Sequence, residues 1–323
     1  MQKREVLLEV KNLKKYFPVK NFFGRKVGDL KAVDDVSFVI YKGETFGLVG
    51  ESGCGKSTLG RTILQMLKPD AGQVIYHGKD IANLPKSQWK DLREKLQIIF
   101  QDPYSALNPN WTVRELISEP LKNAGLSREQ CDTRVRELLK LVNMNEDDME
   151  KFSYEFSGGQ RQRIGIARAV ASYPEFIFCD EPISALDVSV QAQVVNMLKD
   201  LQQELGLTYL FTAHDLSMVH HISDRIGVMY LGSMVELGKS EDVFRDPLHP
   251  YTRALISAIP VADPKLGRES SRIPIEGELP SPMNAPRGCR FCTRCPHATE
   301  RCREERPELR EVADERWAAC HLL

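Results

Sequence analysis

The sequence predicts an α/β fold, and three observations support this prediction. Short runs rich in β-branched and aromatic residues alternate with segments whose apolar residues recur at helical spacing. One of these runs leads through a glycine-rich loop into a helical segment, an order typical of α/β sheets. The length of 323 residues allows about two domains. The predicted strands are residues 6–10, 36–40, 45–49, 97–100, 175–179, 208–212 and 226–230, and the clearest predicted helices are residues 58–67, 160–171 and 191–205.

The composition is that of a folded protein with a near-zero net charge. Hydrophobic residues make up 42% of the chain and charged residues 28%, with a formal charge of −1, which excludes collagen, a coiled-coil rod and a disordered chain. No apolar run approaches the roughly 18 to 20 residues that a membrane span needs, and the start of the chain lacks the long apolar segment of a secretory signal. We therefore expect a cytoplasmic protein without strong nonspecific attraction to nucleic acid.

Residues 50–57 form a phosphate-binding motif between a predicted strand and a predicted helix. They read Gly-Glu-Ser-Gly-Cys-Gly-Lys-Ser and fit the pattern G-x-x-x-x-G-K-[ST]. Glycines allow the backbone to wrap closely around phosphate oxygens, while backbone N–H groups and the helix N-terminus attract the anion. Lys56 neutralises phosphate charge, and the Ser57 hydroxyl can ligate Mg²⁺. The predicted ATP-binding residues of this loop are Gly50, Ser52, Gly53, Cys54, Gly55, Lys56, Ser57 and Thr58.

A pair of acidic residues follows the predicted strand at residues 175–179. Asp180 and Glu181 would lie at the carboxyl edge of the sheet, where open α/β sheets bind their ligands. Such a pair is usually only a solvated strand end, but the phosphate-binding loop changes the interpretation. We expect Asp180 to hold Mg²⁺, directly or through water, and Glu181 to act as the base for an attacking water.

A second glycine-containing segment, Ser157-Gly158-Gly159-Gln160, precedes the predicted helix that begins at Arg161. Serine and glycine before a helix are common N-cap residues, and this interpretation would hold in most proteins. Adjacent glycines with a serine can also form an anion-binding nest. Because the chain already has one phosphate-binding loop, the motif alone leaves both interpretations open.

The distribution of strand, proline and cysteine signals divides the chain into three segments. Between about residues 102 and 165 the strand signal is absent, and amphipathic patterns at residues 113–123 and 128–142 predict an inserted helical subdomain. Six of the eighteen prolines fall between Pro260 and Pro286, which predicts an extended arm. The predicted boundaries are residues 1–245 for a nucleotide-binding domain with its helical subdomain at about 102–165, residues 246–288 for a proline-rich arm, and residues 289–323 for a cysteine-rich tail.

Taken together, these motifs resemble the ATPase subunit of an ABC transporter over about residues 5–245. The resemblance is carried by residues 50–57, Gln101, residues 157–161, Asp180-Glu181, Ser184-Ala185-Leu186-Asp187 and His214, in this order. It implies a P-loop ABC ATPase core, in which a RecA-like sheet is joined by an antiparallel β subdomain and an inserted helical subdomain. It also implies that two chains arranged head to tail close around ATP and hydrolyse it between them.

The resemblance assigns roles that the motifs alone leave open. Ser157, with Gly158, Gly159 and Gln160, would complete the ATP site of a second chain, and Asp187 belongs to a loop that crosses the dimer interface. Gln101 would sense the γ-phosphate and help to bind Mg²⁺, and His214 would contact the γ-phosphate and the attacking water. An aromatic ring after the first strand would stack on adenine, for which Phe17 is favoured and Tyr16 is the alternative. The predicted catalytic residues are Lys56, Gln101, Glu181 and His214.

Four further segments resemble the ATPases of oligopeptide and dipeptide importers. They are residues 17–28, 101–109, 248–255 and 277–282, the third of which reads Leu-His-Pro-Tyr-Thr-Arg-Ala-Leu. The resemblance implies a peripheral protein on the cytoplasmic face of the cell membrane. Its partners would be a second related ATPase subunit, two membrane-spanning permease subunits and an extracytoplasmic peptide-binding protein, without nucleic acid, and in isolation the chain could instead form a homodimer. Two alternatives stay open: a nickel or metal-chelate importer of the same subgroup, and a soluble ABC ATPase that acts on nucleic acid.

Five of the eight cysteines lie in the last 35 residues, which predicts a metal-binding tail in a reduced compartment. The resemblance to peptide-importer ATPases implies a structural [4Fe–4S] cluster on four thiolates. Zinc on four thiolates is the alternative. Cys292 is an additional cysteine that the implied set does not include. The implied ligands are Cys289, Cys295, Cys302 and Cys320.

Cys54 lies inside the phosphate-binding loop, two residues before Lys56. A position at a helix N-terminus beside a lysine favours the thiolate form of cysteine. We therefore expect alkylation of Cys54 to block ATP hydrolysis and ATP to protect against it.

Overall fold

The computed structural model describes residues 4–85, 88–259 and 273–323. Part of the predicted proline-rich arm, residues 260–272, therefore lies outside the described residues. In chain order the strands are β1 (Val6–Lys20), β2 (Lys26–Tyr41), β3 (Thr45–Val49), β4 (Ala71–Tyr76), β5 (Lys79–Asp80), β6 (Leu96–Ile99), β7 (Phe176–Asp180), β8 (Thr208–Thr212), β9 (Arg225–Tyr230), β10 (Ser233–Lys239), β11 (Arg310–Ala313) and β12 (Arg316–Ala318). The α-helices are α1 (Lys56–Ile63), α2 (Trp89–Lys95), α3 (Pro103–Ala106), α4 (Val113–Asn123), α5 (Arg128–Leu141), α6 (Gly158–Val170), α7 (Val188–Leu205), α8 (Leu216–Ile222), α9 (Ser240–Arg245), α10 (Pro250–Ser257) and α11 (Glu300–Glu304).

The chain divides into two compact units. The first unit contains residues 4–5, Tyr41–Thr45 and Asn83–Ala213, and the second contains Val6–Ile40, Phe46–Ala82 and His214–Leu323. Among the residues that the structure describes, no helix combines the length and the apolar character that crossing a membrane requires. The boundaries predicted from the sequence differ from this division and stay a prediction.

The first unit is built on three parallel strands in the order β8-β7-β6. Phe178 of β7 pairs with Leu210 of β8 on one side and with Ile98 of β6 on the other. Every residue of β7 and β8 is buried, as expected for parallel strands covered on both faces. The sheet therefore brings the carboxyl ends of β7 and β8, with the residues that follow them, to one edge.

Helices α4 and α5 of the first unit coincide with the two predicted amphipathic patterns. Each begins with a capping box, formed by Thr112 with Glu115 at α4 and by Ser127 with Gln130 at α5. Their apolar faces are buried where α4 contacts both α5 and α6. Capping and periodicity together explain why these helices form here. That they make up a separate subdomain stays a prediction.

The second unit contains two groups of paired strands. One is a sheet in the order β2-β1-β4-β5, with antiparallel pairing of β1 with β4 and of β4 with β5. In the other, β3 pairs with β9 in parallel, and β9, β10, β12 and β11 follow as antiparallel neighbours. The short strand β12 adds the C-terminal tail to the edge of β10, so the tail is part of this unit.

Candidate nucleotide-binding site

The phosphate-binding loop joins β3 to α1 in the second unit, as predicted. Gly50, Gly53 and Gly55 have φ angles of 152°, 77° and 109°, which glycine adopts without the steric cost of a side chain. A Cβ atom at Gly50 would overlap the carbonyl oxygen of Met229, and one at Gly55 would overlap the carbonyl oxygen of Ala32. Both ends of the loop therefore require glycine, whereas Gly53 lies in open space at its exposed tip.

Lys56 crosses the loop from the first turn of α1. Its side chain is only 4% exposed, and Nζ donates a hydrogen bond of 2.9 Å to the carbonyl oxygen of Gly50. Gly55 is the N-cap residue of α1 and supplies no side-chain acceptor, so an anion can satisfy the first N–H groups of the helix. Ser57 follows in the same turn and is half-buried. This set of donors fits the phosphates of a nucleotide, and the Ser57 hydroxyl is an oxygen ligand suited to Mg²⁺.

The structure corrects the expectation for Cys54. Its thiol is buried against Gly50, and burial raises the pKa of Cys54 although Lys56 acts to lower it. Burial penalises the charged thiolate more than the lysine stabilises it. The thiol is therefore protonated at neutral pH, and the predicted thiolate environment is wrong.

Asp180 and Glu181 end strand β7 in the first unit, as predicted. Asp180 is fully buried, and Glu181 has a φ angle of 49° in the left-handed region. The Glu181 N–H donates to Thr212 Oγ1 at 3.0 Å, and Thr212 Oγ1 donates to the carbonyl oxygen of Cys179 at 3.1 Å. The threonine thus holds the backbone of Glu181 in a conformation that a non-glycine residue rarely adopts.

Ser157 caps helix α6 in the first unit. Its hydroxyl accepts from the Gln160 N–H at 3.4 Å, and Gln160 Oε1 accepts from the Ser157 N–H at 3.0 Å. A Cβ atom at Gly159 would lie 2.6 Å from Val190 Cγ1, so a larger residue here would require the Val190 side chain to move. The N-cap interpretation is confirmed. The role of residues 157–160 as an anion nest for a second chain stays a prediction.

Gln101 is exposed in the segment that follows β6. Helix α6 holds this segment at both ends: Gln162 Nε2 donates to the Phe100 carbonyl at 3.4 Å, and Arg168 Nη1 donates to the Ala106 carbonyl at 3.0 Å. The helix that begins at the Ser157 cap therefore also fixes the loop that carries Gln101.

His214 directly precedes the N-cap residue of one helix, and Asp187 is itself the N-cap residue of another. His214 is exposed in the second unit and precedes Asp215, whose carboxylate accepts the Ser217 N–H at 2.8 Å and caps α8. Asp187 is the N-cap residue of α7 in the first unit. The predicted site residues are thus distributed over both units, with the phosphate-binding loop and His214 in the second, and Gln101, residues 157–160, Asp180 and Glu181 in the first.

Tyr16 and Phe17, the two candidates for adenine stacking, are neighbours on β1 and half-buried. Successive side chains of a strand point to opposite faces, so the two rings cannot line the same nucleotide face together. The Tyr16 hydroxyl donates to Asp34 Oδ1. Lys15 Nζ lies 5.3 Å from the centre of the Phe17 ring. The assignment of Phe17 as the stacking ring stays a prediction.

The structure contradicts the predicted metal site in the tail. Within residues 4–85, 88–259 and 273–323, no group of three or more histidine, cysteine, aspartate or glutamate side chains is arranged to hold a metal ion. Cys302 Sγ instead lies 3.2 Å from Thr299 Oγ1, and burial raises the pKa of the Cys289 thiol to about 12. The predicted [4Fe–4S] cluster on Cys289, Cys295, Cys302 and Cys320 is therefore wrong, and the described residues give no support to the zinc alternative.

The tail is instead held to β2 and to the phosphate-binding loop of the same unit by arginines that sequence reasoning missed. Arg290 Nη2 and Arg306 Nη1 donate to Asp34 Oδ2, the second at 3.1 Å. Burial acts to raise the pKa of Asp34, but the Tyr16 hydroxyl and the two guanidinium groups outweigh it and hold this pKa below its usual value. A third arginine, Arg294, forms an ion pair with Glu51 of the phosphate-binding loop. Isolated arginines carry no sequence signal that would reveal these partners.

Comparison with known proteins gives matches along nearly the whole chain. Residues 33–184 match the family described as ABC transporter, and residues 235–302 match the family described as oligopeptide/dipeptide transporter, C-terminal region. The chain is 52% identical over 322 residues to the oligopeptide transport ATP-binding protein AppF of Bacillus subtilis, covering 99% of this chain and 98% of that protein. It is 50% identical over 314 residues to the oligopeptide transport ATP-binding protein OppF of Salmonella typhimurium, covering 96% and 94%.

Solved structures are also similar. The dimeric structure of the ATP-binding cassette MJ0796 in a post-hydrolysis state, bound to ADP and Pi, has a TM-score of 0.65 and 28% identity, covering 72% of this chain and 99% of that chain. CbiO1 from Clostridium perfringens, part of the complex CbiONQ, has a TM-score of 0.66 and 28% identity, covering 75% and 92%.

Proposed function

This chain belongs to the ABC transporter ATP-binding proteins of the oligopeptide and dipeptide group, and from that premise we propose that it supplies ATP-driven energy to the import of oligopeptides or dipeptides. It is an ATPase with a P-loop ABC ATPase fold of mixed α/β sheets. The observation that carries the proposal is about 50% identity over nearly the full length to oligopeptide transport proteins, including the C-terminal region that matches a transporter family of its own.

The proposed chemistry follows from the side chains described above. Lys56 would neutralise the β- and γ-phosphates, and Ser57, Asp180 and Gln101 would supply oxygen ligands to Mg²⁺. Glu181, held by Thr212, would take the proton of the attacking water. His214, exposed at the start of α8, would contact the γ-phosphate and that water. Phe17, or Tyr16 on the other face of β1, would stack on the adenine.

Residues 157–160 support the proposal that two ATPase chains act together. The capped N-terminus of α6 presents its positive dipole end and a serine hydroxyl, which suit the γ-phosphate of an ATP molecule bound to an opposing chain. We propose a second, related ATPase subunit as that chain. Permease subunits in the membrane and a peptide-binding protein outside it would complete the importer, placing this chain peripherally on the cytoplasmic membrane face.

Peptide uptake in cells that lack this chain would test the proposal. Wild-type protein should restore ATP-dependent uptake of labelled dipeptides or oligopeptides. Glu181→Gln should bind ATP but reduce hydrolysis and uptake by at least about a hundredfold, because it removes a proton acceptor from the reaction. Glu129→Gln, an exposed carboxylate in the first turn of α5, is the control and should behave as wild type.

Three results would contradict parts of the proposal. Restored uptake of a nickel chelate without peptide uptake would favour the metal-chelate alternative. Hydrolysis by Glu181→Gln at the wild-type rate would show that Glu181 is not the base. Stimulation of the ATPase by DNA would instead favour the nucleic-acid alternative.

A further inference from the structure

We propose that Arg294 and Tyr251, both outside the ATPase motifs, are positioning residues that prepare the phosphate-binding loop for ATP by holding Glu51. This inference rests on the proposed function, because it assumes that the loop binds ATP. Glu51 occupies a variable position of the G-x-x-x-x-G-K-[ST] pattern, directly after Gly50. Both positioning residues belong to the C-terminal part of the second unit. The Arg294 side chain pairs with the Glu51 carboxylate, and the Tyr251 hydroxyl accepts the Glu51 backbone N–H.

Arg294 pairs with the carboxylate of Glu51. Nη1 of Arg294 lies 2.8 Å from Glu51 Oε2, and it also donates to the Tyr230 hydroxyl at 3.4 Å. The Arg294 side chain is 9% exposed and the Glu51 side chain 26%. A pair this shielded is screened less by salt and water than a surface pair. Arg294 therefore fixes the position of the Glu51 carboxylate and neutralises its negative charge.

Tyr251 holds the backbone of the same residue. Its hydroxyl accepts a hydrogen bond of 2.8 Å from the Glu51 N–H. The ring is completely buried, with its centre 4.7 Å from that of Tyr230 and 5.3 Å from that of Phe291. Because the ring is packed on two sides, the hydroxyl has little freedom to move away from the loop. The peptide that begins the loop is thus fixed in orientation.

The electrostatics explain why a partner for Glu51 matters. The loop must accept the negative charge of a triphosphate, and a carboxylate within it opposes binding unless a cation neutralises it. Arg294 supplies that cation. A triphosphate carries more charge than a diphosphate, so loss of Arg294 should weaken the triphosphate more. An arginine with a purely structural role would not produce this difference.

The segment that carries Arg294 is itself anchored. Arg290, four residues earlier, donates to the buried Asp34, and Arg306 donates to the carboxylate of Asp34 at 3.1 Å and to its backbone carbonyl at 2.7 Å. Asp34 lies on β2 two residues after Ala32, whose carbonyl oxygen packs against Gly55. The anchor and the loop thus both contact β2, which fixes the start of the Arg294 segment relative to the loop that carries Glu51.

Nucleotide affinity of the purified full chain would test the pairing. Isothermal titration with Mg²⁺ and the non-hydrolysable analogue AMP-PNP, and separately with ADP, gives the two dissociation constants. Arg294→Gln should weaken AMP-PNP binding about tenfold and ADP binding about threefold, as expected for an uncompensated charge near the phosphates. The double variant Arg294→Gln with Glu51→Gln should return to within about twofold of wild type. Arg301→Gln, which breaks the exposed pair of Arg301 with Glu305, is the matched control.

The outcomes separate this inference from the proposed function. Wild-type protein that binds neither nucleotide would refute the proposed function. Wild-type protein that binds both, together with an Arg294→Gln variant of unchanged affinity or a double variant that is not rescued, would refute the positioning role.

Tyr251→Phe gives a second test that changes no charge and keeps the packed ring. We expect the KM for ATP to rise about fivefold because the loop loses its backbone anchor, while kcat and the thermal midpoint stay near their wild-type values. An unchanged KM, or a fall in kcat and thermal midpoint without a change in KM, would overturn the role of Tyr251.

Discussion

Protonation of one buried histidine should make the stability of this protein depend on pH. His249 is 1% exposed and is the N-cap residue of α10, where its Nδ1 accepts the Tyr251 N–H at 3.1 Å. Burial lowers the pKa of His249 to about 4. The folded protein therefore requires the neutral ring, and a proton on Nδ1 would also remove the acceptor that caps the helix.

The expected magnitude follows from the two pKa values. In the unfolded chain histidine titrates near 6.5, against about 4 in the folded protein, so the unfolded chain binds the proton more tightly throughout this interval. The stabilisation is complete above about pH 6.5 and is lost progressively as the pH falls towards 4, amounting to about 3 kcal/mol in total. At pH 5 about 2 kcal/mol of this stabilisation should already be lost.

Urea unfolding followed by circular dichroism, with His249→Asn as the comparison, measures this effect. Asparagine keeps a capping oxygen but does not titrate. Glu236, which accepts the His249 backbone N–H at 2.8 Å, has its own pKa raised by burial and so acts in the opposite direction, but it is present in both proteins and cancels in the difference. Wild type should lose about 2 kcal/mol relative to the variant between pH 7 and pH 5. A difference that stays constant with pH would refute the reasoning.

Three further predictions concern single side chains. Thr212→Val should lower kcat about tenfold with little change in the KM for ATP, because the Glu181 N–H loses its acceptor; steady-state ATPase assays measure this, and Thr212→Ser should recover the activity. Cys54 should react with iodoacetamide more slowly than a free thiol at pH 7, since burial raises its pKa; mass spectrometry follows the labelling, and a rate equal to that of free cysteine would contradict the buried position. Asp34→Asn should lower the free energy of unfolding by about 3 kcal/mol, because it leaves buried Arg290 without its carboxylate; a loss below about 0.5 kcal/mol would contradict this.

Local signals predicted the phosphate-binding loop and its flanking elements well. The predicted strand at residues 45–49 has the bounds of β3, and the predicted strand at 175–179 differs from β7 by one residue. Helices α4 and α5 follow their predicted amphipathic patterns because capping residues and apolar spacing agree there. In each case the determining interactions lie within a few residues along the chain.

Predictions failed where partners distant in sequence decide the chemistry. A helix N-terminus and Lys56 favour a thiolate at Cys54, but burial, which depends on the packing around Gly50, decides its pKa. The metal in the tail was predicted from the clustering of the cysteines and from the resemblance to peptide-importer ATPases, but spacing along the chain does not fix how the thiols are arranged in space. The contacts of Arg290 with Asp34 and of Arg294 with Glu51 span 256 and 243 residues, so no local pattern could reveal them.

The segment His249-Pro250-Tyr251, which contributes to the family resemblance, also has a structural role. Glu236 on β10 accepts the N–H groups of Leu248 and His249, which fixes the point at which α10 begins. His249 then caps the helix, and Pro250 at its first position has the backbone angle that a helix start requires. Tyr251 follows in the same turn, and its hydroxyl reaches the Glu51 N–H. Because each of these residues positions the next, the segment connects the C-terminal region to the phosphate-binding loop. A change at its first residue should therefore affect nucleotide binding as well as stability.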